Sequence, residues 1–120
     1  MTQQRKTHDR EPLTWGIKPE WGIPQYLIER MASTRGFSIR YVRQAAKRHV
    51  ERYQWCLANP GHPAAFSRSD LEELVVQFRE QTIPRMIRDF RQSESCSPIL
   101  PGQIIEYCIV ADRLETMLRK

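Results

Sequence analysis

Residues 38–59, SIRYVRQAAKRHVERYQWCLAN, decide the fold of this chain. Their apolar side chains recur at intervals of three and four residues, and this spacing places them on one face of an α-helix. Ser38 is a suitable N-cap, and the Asn-Pro-Gly sequence that begins at Asn59 terminates helices, so the pattern predicts a helix of about twenty residues. The apolar positions are Ile39, Val42, Ala46, Val50, Tyr53 and Leu57.

Further along the chain, a second periodic segment predicts a helix that is interrupted. Ser67 or Ser69 caps its start, and the acidic side chains of its first turn complement the helix dipole. The apolar spacing continues to Arg91 through Pro84, which lacks an N–H and obstructs the preceding turn. We therefore expect a kink or a break into two helices near Thr82.

The C-terminal segment predicts the most apolar helix. Residues 92–102 form a Ser/Pro loop, and a helix follows from residue 103 to about residue 118. Residues 104–111 are apolar on nearly every side, which indicates a helix that is central in the bundle or shared with a partner chain. Glu106 interrupts this band, and if it is buried it needs a partner, such as an arginine from the interrupted helix that precedes it. The candidate seam of a possible homodimer consists of Ile104, Ile105 and Ile109.

The N-terminal part of the chain lacks helical periodicity. Residues 1–12 are polar and predict a disordered tail. Residues 13–23 contain Trp-Gly-Ile twice, with prolines and glycines that exclude a continuous helix, and we interpret them as an irregular aromatic arm anchored by its indoles. We expect residues 24–120 to form a single helical domain, whose first helix runs from residue 24 to about residue 34 and stops before Gly36. The predicted fold is an all-α bundle of four to five helices.

Composition narrows the class of function. Three widely spaced cysteines do not suggest a disulfide framework and fit a reducing compartment. No apolar run approaches the ~20 residues of a membrane span, and the first residues do not resemble a signal peptide, so we expect a cytoplasmic protein without a membrane partner. The sequence has no phosphate-binding loop, nucleophile elbow or zinc-type ligand spacing. We therefore expect no enzymatic activity, catalytic residue, cofactor or metal.

The net charge of +5 is concentrated in one part of the chain. Residues 25–53 carry seven basic and two acidic side chains, whereas the remaining residues are nearly balanced. A localised excess of positive charge indicates an anionic partner, either an acidic protein or DNA. On the predicted helix, the basic residues are Arg40, Arg43 and Lys47 in a stripe beside the apolar face, and Arg48 and Arg52 behind it.

Residues 28–48, IERMASTRGFSIRYVRQAAKR, resemble the bacterial helix-turn-helix motif. Ala32 stands where the two helices of that motif cross, Gly36 lies in the turn four residues later, and Ser38 caps the second helix. The resemblance implies a dimeric, DNA-binding transcriptional regulator whose second helix contacts bases and phosphates. The outward residues of that helix would be Arg40, Arg43, Gln44 and Lys47.

An exposed aromatic side chain supports a different interpretation. Trp55 projects from the face opposite the apolar stripe, close to Gln44 and Arg48. Because tryptophan and arginine dominate many protein interfaces, a surface that combines Trp55 with Arg48 and Arg52 would suit an acidic protein partner. Arg35 occupies a place that is apolar in most helix-turn-helix motifs, and the second helix is about twice the usual length. We rank a non-enzymatic, regulatory protein-binding adaptor or antagonist first, and a DNA-binding regulator second.

Overall fold

The structure is a computed structural model, and it describes residues 15–120. The predicted tail, residues 1–12, and the first two residues of the arm lie outside the described residues. Within 15–120 the regular secondary structure is helical throughout, which confirms the predicted all-α fold. The α-helices are α1 (Gln25–Ala32), α2 (Ile39–Ala58), α3 (Arg68–Gln77), α4 (Ile83–Gln92) and α5 (Ile99–Arg119). None of the helices in this range is both long enough and apolar enough to cross a bilayer.

The bounds of α2 agree with the sequence prediction. The hydroxyl of Ser38 accepts a hydrogen bond from the backbone N–H of Tyr41 at 3.2 Å, which satisfies one of the unpaired donors of the first turn. The chain leaves the helix at Asn59. Its apolar face packs mainly against α5. The buried side chains of α2 are Ile39, Val42, Ala46, Val50, Tyr53 and Cys56.

A π-helical turn separates α3 from α4 at the predicted place. Ser67 and Asp70 form a capping box at the start of α3, with hydrogen bonds of 3.0 and 3.2 Å between side chains and backbone. Pro84 lies in the first turn of α4 and donates no backbone hydrogen bond, so the carbonyl of Glu80 loses its usual partner. The helix accommodates this loss by widening over Phe78–Thr82.

The central helix of the bundle is α5, and it is longer than predicted. It begins at Ile99 instead of residue 103, because Pro101 fits the first turn, where backbone N–H groups have no partner within the helix. It contacts α2, α3 and α4, so the apolar band belongs to the protein's own core. The buried side chains of α5 are Pro101, Ile104, Ile105, Cys108, Val110, Ala111 and Leu114.

The short helix α1 is anchored against the C-terminal end of α4. The guanidinium of Arg30 donates to the carbonyl oxygen of Phe90 at 2.7 Å and to that of Ser93, and it lies 4.3 Å from the centre of the Phe90 ring. The helix ends at Ala32, two residues earlier than predicted. The hydroxyl of Thr34 donates to the carbonyl of Arg30 at 2.8 Å, and such side-chain bonds compete with continuation of a helix.

Two buried indoles attach the arm to the bundle. The side chains of Trp15 and Trp21 join the hydrophobic core. The Trp15 ring lies 4.9 Å from the ring of Phe37, measured between centroids. Trp21 closes a short 3₁₀ turn, and its Nε1–H donates to the carboxylate of Asp112 on α5 at 3.0 Å. The arm is therefore fixed both by packing and by a hydrogen bond to the central helix.

Candidate interaction surface

The seven side chains that the sequence singles out on α2 are all exposed to solvent. They share one side of the helix because the opposite side is buried against the core. With a rise of about 1.5 Å per residue, they extend over roughly 22 Å. We call this surface the α2 basic face. It consists of Arg40, Arg43, Gln44, Lys47, Arg48, Arg52 and Trp55.

Most cations of the α2 basic face have no acidic partner in the described part of the chain. Arg40, Lys47, Arg48 and Arg52 form no ion pair with any residue in 15–120. Glu51 is exposed on the same helix and lies beyond ion-pair distance of each of them. The charge of these four cations is therefore screened only by water and salt, and it can attract an anionic binding partner.

The aromatic end of the α2 basic face is held in place by the linker that follows α2. The Trp55 side chain is 40% exposed, and its ring meets that of His62 edge-on, with 5.0 Å between centroids. The side-chain amide of Asn59 donates to the carbonyl oxygen of Trp55 at 2.8 Å. The indole thus has one packed edge and one surface open to a partner.

A groove lies on each flank of α2. The first, which we call the arm groove, runs between the arm, α2 and α5 and has a volume of about 500 Å³. The second has a volume of about 290 Å³ and lies between the N-terminal halves of α2 and α5. Tyr41 and Ile99, among the most exposed large apolar side chains in the described chain, form its walls. The charged residues of the arm groove are Lys18, Arg43, Lys47, Asp112 and Arg113.

One carboxylate beside the arm groove collects several donors. Asp112 accepts hydrogen bonds from Trp21 and Arg79 at 3.0 Å each, and its other near neighbour is the Nζ of Lys18 at 3.0 Å. Arg79 also bonds Glu115 at 2.7 Å. Burial opposes ionisation of Asp112, but the hydrogen bonds from Lys18, Arg79 and Trp21 outweigh it and lower its pKa. We call these residues the Asp112 cluster, and its cations stabilise the docked arm.

A second polar cluster connects α2 to α5. His49 Nδ1 lies 3.1 Å from the carboxylate of Glu106, and His49 Nε2 lies 2.8 Å from the hydroxyl of Tyr53. The partner of Glu106 is therefore a histidine on α2, and no arginine forms an ion pair with it within residues 15–120. Burial raises the pKa of Tyr53 to about 12, and the neighbouring Tyr107 adds to the shift. The buried phenol bonds His49 within α2, and His49 makes the polar link to Glu106 on α5.

Two of the three residues of the candidate dimer seam are buried within the single chain. Ile104 and Ile105 are both 0% exposed within the single chain. A side chain that is already fully buried offers no surface to a second copy. The physical reason is the central position of α5, which α2, α3 and α4 surround. Ile109 is half-buried and lines the arm groove.

The region that resembles a helix-turn-helix motif keeps local features of it but pairs its helices differently. Gly36 adopts φ of 85°, the left-handed conformation that suits glycine in a turn, and Ser38 caps the second helix. However, α1 is anchored on α4 through Arg30, and the main packing partner of α2 is α5. In the motif the two helices pack on each other, so the resemblance holds for the turn more than for the helix pair.

Sequence reasoning did not find two of the cations that surround the arm groove. Lys18 belongs to the irregular arm and Arg113 to the last turns of α5, far from α2 in the sequence.

No group of three or more metal-ligating side chains comes together within residues 15–120. No protein-family model matches the chain, and neither a curated protein nor a solved structure matches it significantly.

Proposed function

We propose that this protein is a non-enzymatic adaptor or antagonist that binds an acidic surface of another protein through the α2 basic face. One observation carries the proposal. Four cations of this face lack an ion pair within residues 15–120, and they share one rigid helix with an exposed tryptophan. Positive charge that stabilises nothing inside the fold remains available to a partner.

The aromatic side chain favours a protein over other anions. Trp55 lies one turn from Arg52 and two turns from Arg48, so the three side chains are neighbours on the helix surface. Tryptophan and arginine are enriched among the residues that contribute most to protein–protein affinity. The contact with His62 restrains the indole before binding, which reduces the entropy lost on association.

DNA is the alternative partner. Arg40, Gln44 and Lys47 are exposed on α2, and arginine and glutamine can make paired hydrogen bonds to guanine and adenine. This alternative is supported less well, because Arg30 bonds α1 to the end of α4 and the main packing partner of α2 is α5. In the motif the two helices pack on each other.

A charge-reversal variant tests the proposal. The double variant Arg48→Glu/Arg52→Glu is compared with the control Arg85→Glu/Arg88→Glu, which makes the same charge change on α4. Each is titrated by fluorescence anisotropy against a labelled synthetic peptide of glutamate, aspartate and leucine, at an ionic strength of about 0.15 M. We expect the first variant to weaken peptide affinity at least about tenfold and the control to change it less than about threefold.

A parallel titration separates the two kinds of partner. A random-sequence DNA duplex is added to the wild type over a range of salt concentrations. A protein-binding face predicts that the peptide binds more tightly than the duplex at about 0.15 M ionic strength. Equal affinity of the α2 variant and the wild type for the peptide would overturn the proposal. Preferential duplex binding with a steep dependence on salt would replace it by the DNA-binding alternative.

A further inference from the structure

We infer that the arm groove binds carboxylates of an acidic segment of the partner, between Lys47 of α2 and Arg113 of α5. This inference rests on the proposed function, because it names a place beside the α2 basic face where the acidic partner is gripped. It adds a second element, α5, to a surface that otherwise belongs to one helix. It also assigns a role to Arg113, which makes no ion pair within residues 15–120.

The shape of the groove suits a short peptide segment. Its volume of about 500 Å³ falls within the range of roughly 300–1,000 Å³ that is typical of ligand pockets. Trp15 and Trp21 contribute an apolar wall, and the small side chain of Ala46 on α2 leaves room between the two helices. Ile109 adds apolar surface from α5. A segment of a few residues can therefore enter while its acidic groups meet cations on both sides.

Basic side chains outnumber acidic ones in the lining of the groove. Four basic side chains line it, and Asp112 is its acidic side chain. The negative charge of Asp112 is already compensated by Lys18 and by Arg79. Lys47 and Arg113 stand on different helices and hold no acidic partner in the described chain. A carboxylate from a partner would form charge-assisted hydrogen bonds to them, and the planar guanidinium of Arg113 can bind both of its oxygens.

The burial of the two indoles favours a carboxylate-bearing peptide over a single-stranded nucleic acid. Proteins that bind such strands stack the bases on exposed aromatic faces. Trp15 is 2% exposed and Trp21 is 8% exposed, so neither ring offers a free face. The two tryptophans therefore form part of the wall of the groove, and its cations would bind the acidic groups of the peptide.

The tryptophan indoles provide separate reporters for the test. In ¹⁵N-labelled protein, the Trp21 Nε1–H, which donates to Asp112, reports on the arm groove, and the Trp55 Nε1–H reports on the far end of the α2 basic face. The synthetic acidic peptide is titrated into the wild type, Arg113→Glu and the matched control Arg85→Glu. We expect the Trp21 resonance to shift with the wild type and the control. Arg113→Glu should abolish that shift and weaken affinity about tenfold.

The outcomes distinguish the groove from the wider surface. If Arg113→Glu binds the peptide as tightly as wild type and Trp55 alone shifts, the groove inference is overturned and the proposed function stands. If Arg48→Glu/Arg52→Glu binds normally and the Trp21 shift persists, the groove is supported and the proposed face is overturned. A Trp21 shift caused by a DNA duplex and not by the peptide would overturn the occupant that we propose. Circular dichroism of each variant confirms that the fold is retained.

Discussion

Lys18 and Arg79 converge on the carboxylate of Asp112, whereas Lys47 and Arg48 on α2 point to solvent without an acidic partner in residues 15–120. Both regions are rich in basic side chains, and they adjoin each other at the arm groove. In the Asp112 cluster, the cations satisfy a half-buried carboxylate and hold the arm on α5. On the α2 basic face, Arg40, Lys47, Arg48 and Arg52 form no ion pair within residues 15–120 and carry charge that the described fold does not use.

This difference predicts how each region responds to mutation. Removing one member of a half-buried cluster leaves other polar groups without partners, and such groups are costly in a folded protein. Removing an exposed cation without a partner changes stability little, because the folded state loses no interaction. Stability measurements should therefore separate structural charge from charge that is available for binding.

The largest effect on stability is expected for Asp112→Ala. The substitution leaves the Trp21 Nε1–H without its acceptor and removes one of the two carboxylates that Arg79 bonds. We therefore expect the free energy of unfolding to fall by about 2–3 kcal/mol. Urea denaturation followed by tryptophan fluorescence measures it. Asp89→Ala is the control, because Asp89 is exposed and has only a 3.8 Å contact with Arg88. If Asp112→Ala and Asp89→Ala lower the free energy of unfolding equally, the Asp112 cluster does not stabilise the arm.

A somewhat smaller loss is expected for His49→Ala. His49 belongs to α2 like the basic face, but its ring is partnered by Glu106 and Tyr53. Its removal leaves two polar groups unpaired at the contact of α2 with α5, and we expect a loss of about 1–2 kcal/mol. His62→Ala, at an exposed position in the linker, should cost less than about 0.5 kcal/mol in the same denaturation assay. A negligible loss for His49→Ala would show that the hydrogen bonds of His49 with Glu106 and Tyr53 do not stabilise the fold.

Acid pH provides a second test of the Asp112 cluster. The pKa of Asp112 is lowered in the folded state, so its contribution to stability is complete above the usual aspartate value of about 3.9. That contribution is lost as the pH falls through the lower pKa of the folded protein. Asp112→Asn lacks the ionisable carboxylate and so lacks this contribution at every pH. The stability difference between wild type and variant should therefore shrink on acidification. A difference that stays constant from neutral pH to about pH 2 would contradict the assignment.

Local patterns predicted most of the helices, and the exceptions have local causes. The apolar spacing of α2 and its Ser38 cap are properties of neighbouring residues, and the structure confirms both. The start of α5 was not predicted correctly because a proline such as Pro101 usually interrupts a helix. The first turn of a helix tolerates proline, and Pro101 lies there. The exposure of the α2 basic face was also predictable, because one helix periodicity determines both the buried and the exposed side.

Contacts between distant segments were not predictable in the same way. Asp112 accepts hydrogen bonds from Trp21 and Arg79, which lie 91 and 33 residues away from it in the sequence. No periodic pattern relates these positions, since the tertiary packing of the arm, α3–α4 and α5 brings them together. The arm groove depends on the same packing, so Arg113 could not be recognised as a neighbour of Lys47. The burial of Ile104 and Ile105 within the single chain was also not predictable, because an apolar band does not reveal which chain covers it.

The smallest effect on stability is expected for Lys47→Ala/Arg48→Ala. Both side chains are exposed and form no ion pair within residues 15–120, and alanine favours the helix at least as well as lysine and arginine. The free energy of unfolding should therefore change by less than about 0.5 kcal/mol, while affinity for the acidic peptide falls by about tenfold or more. Urea denaturation and anisotropy on the same samples measure both. A loss of stability comparable to that of Asp112→Ala would mean that the α2 cations support the fold, and their availability to a partner would no longer follow from the contrast with the Asp112 cluster.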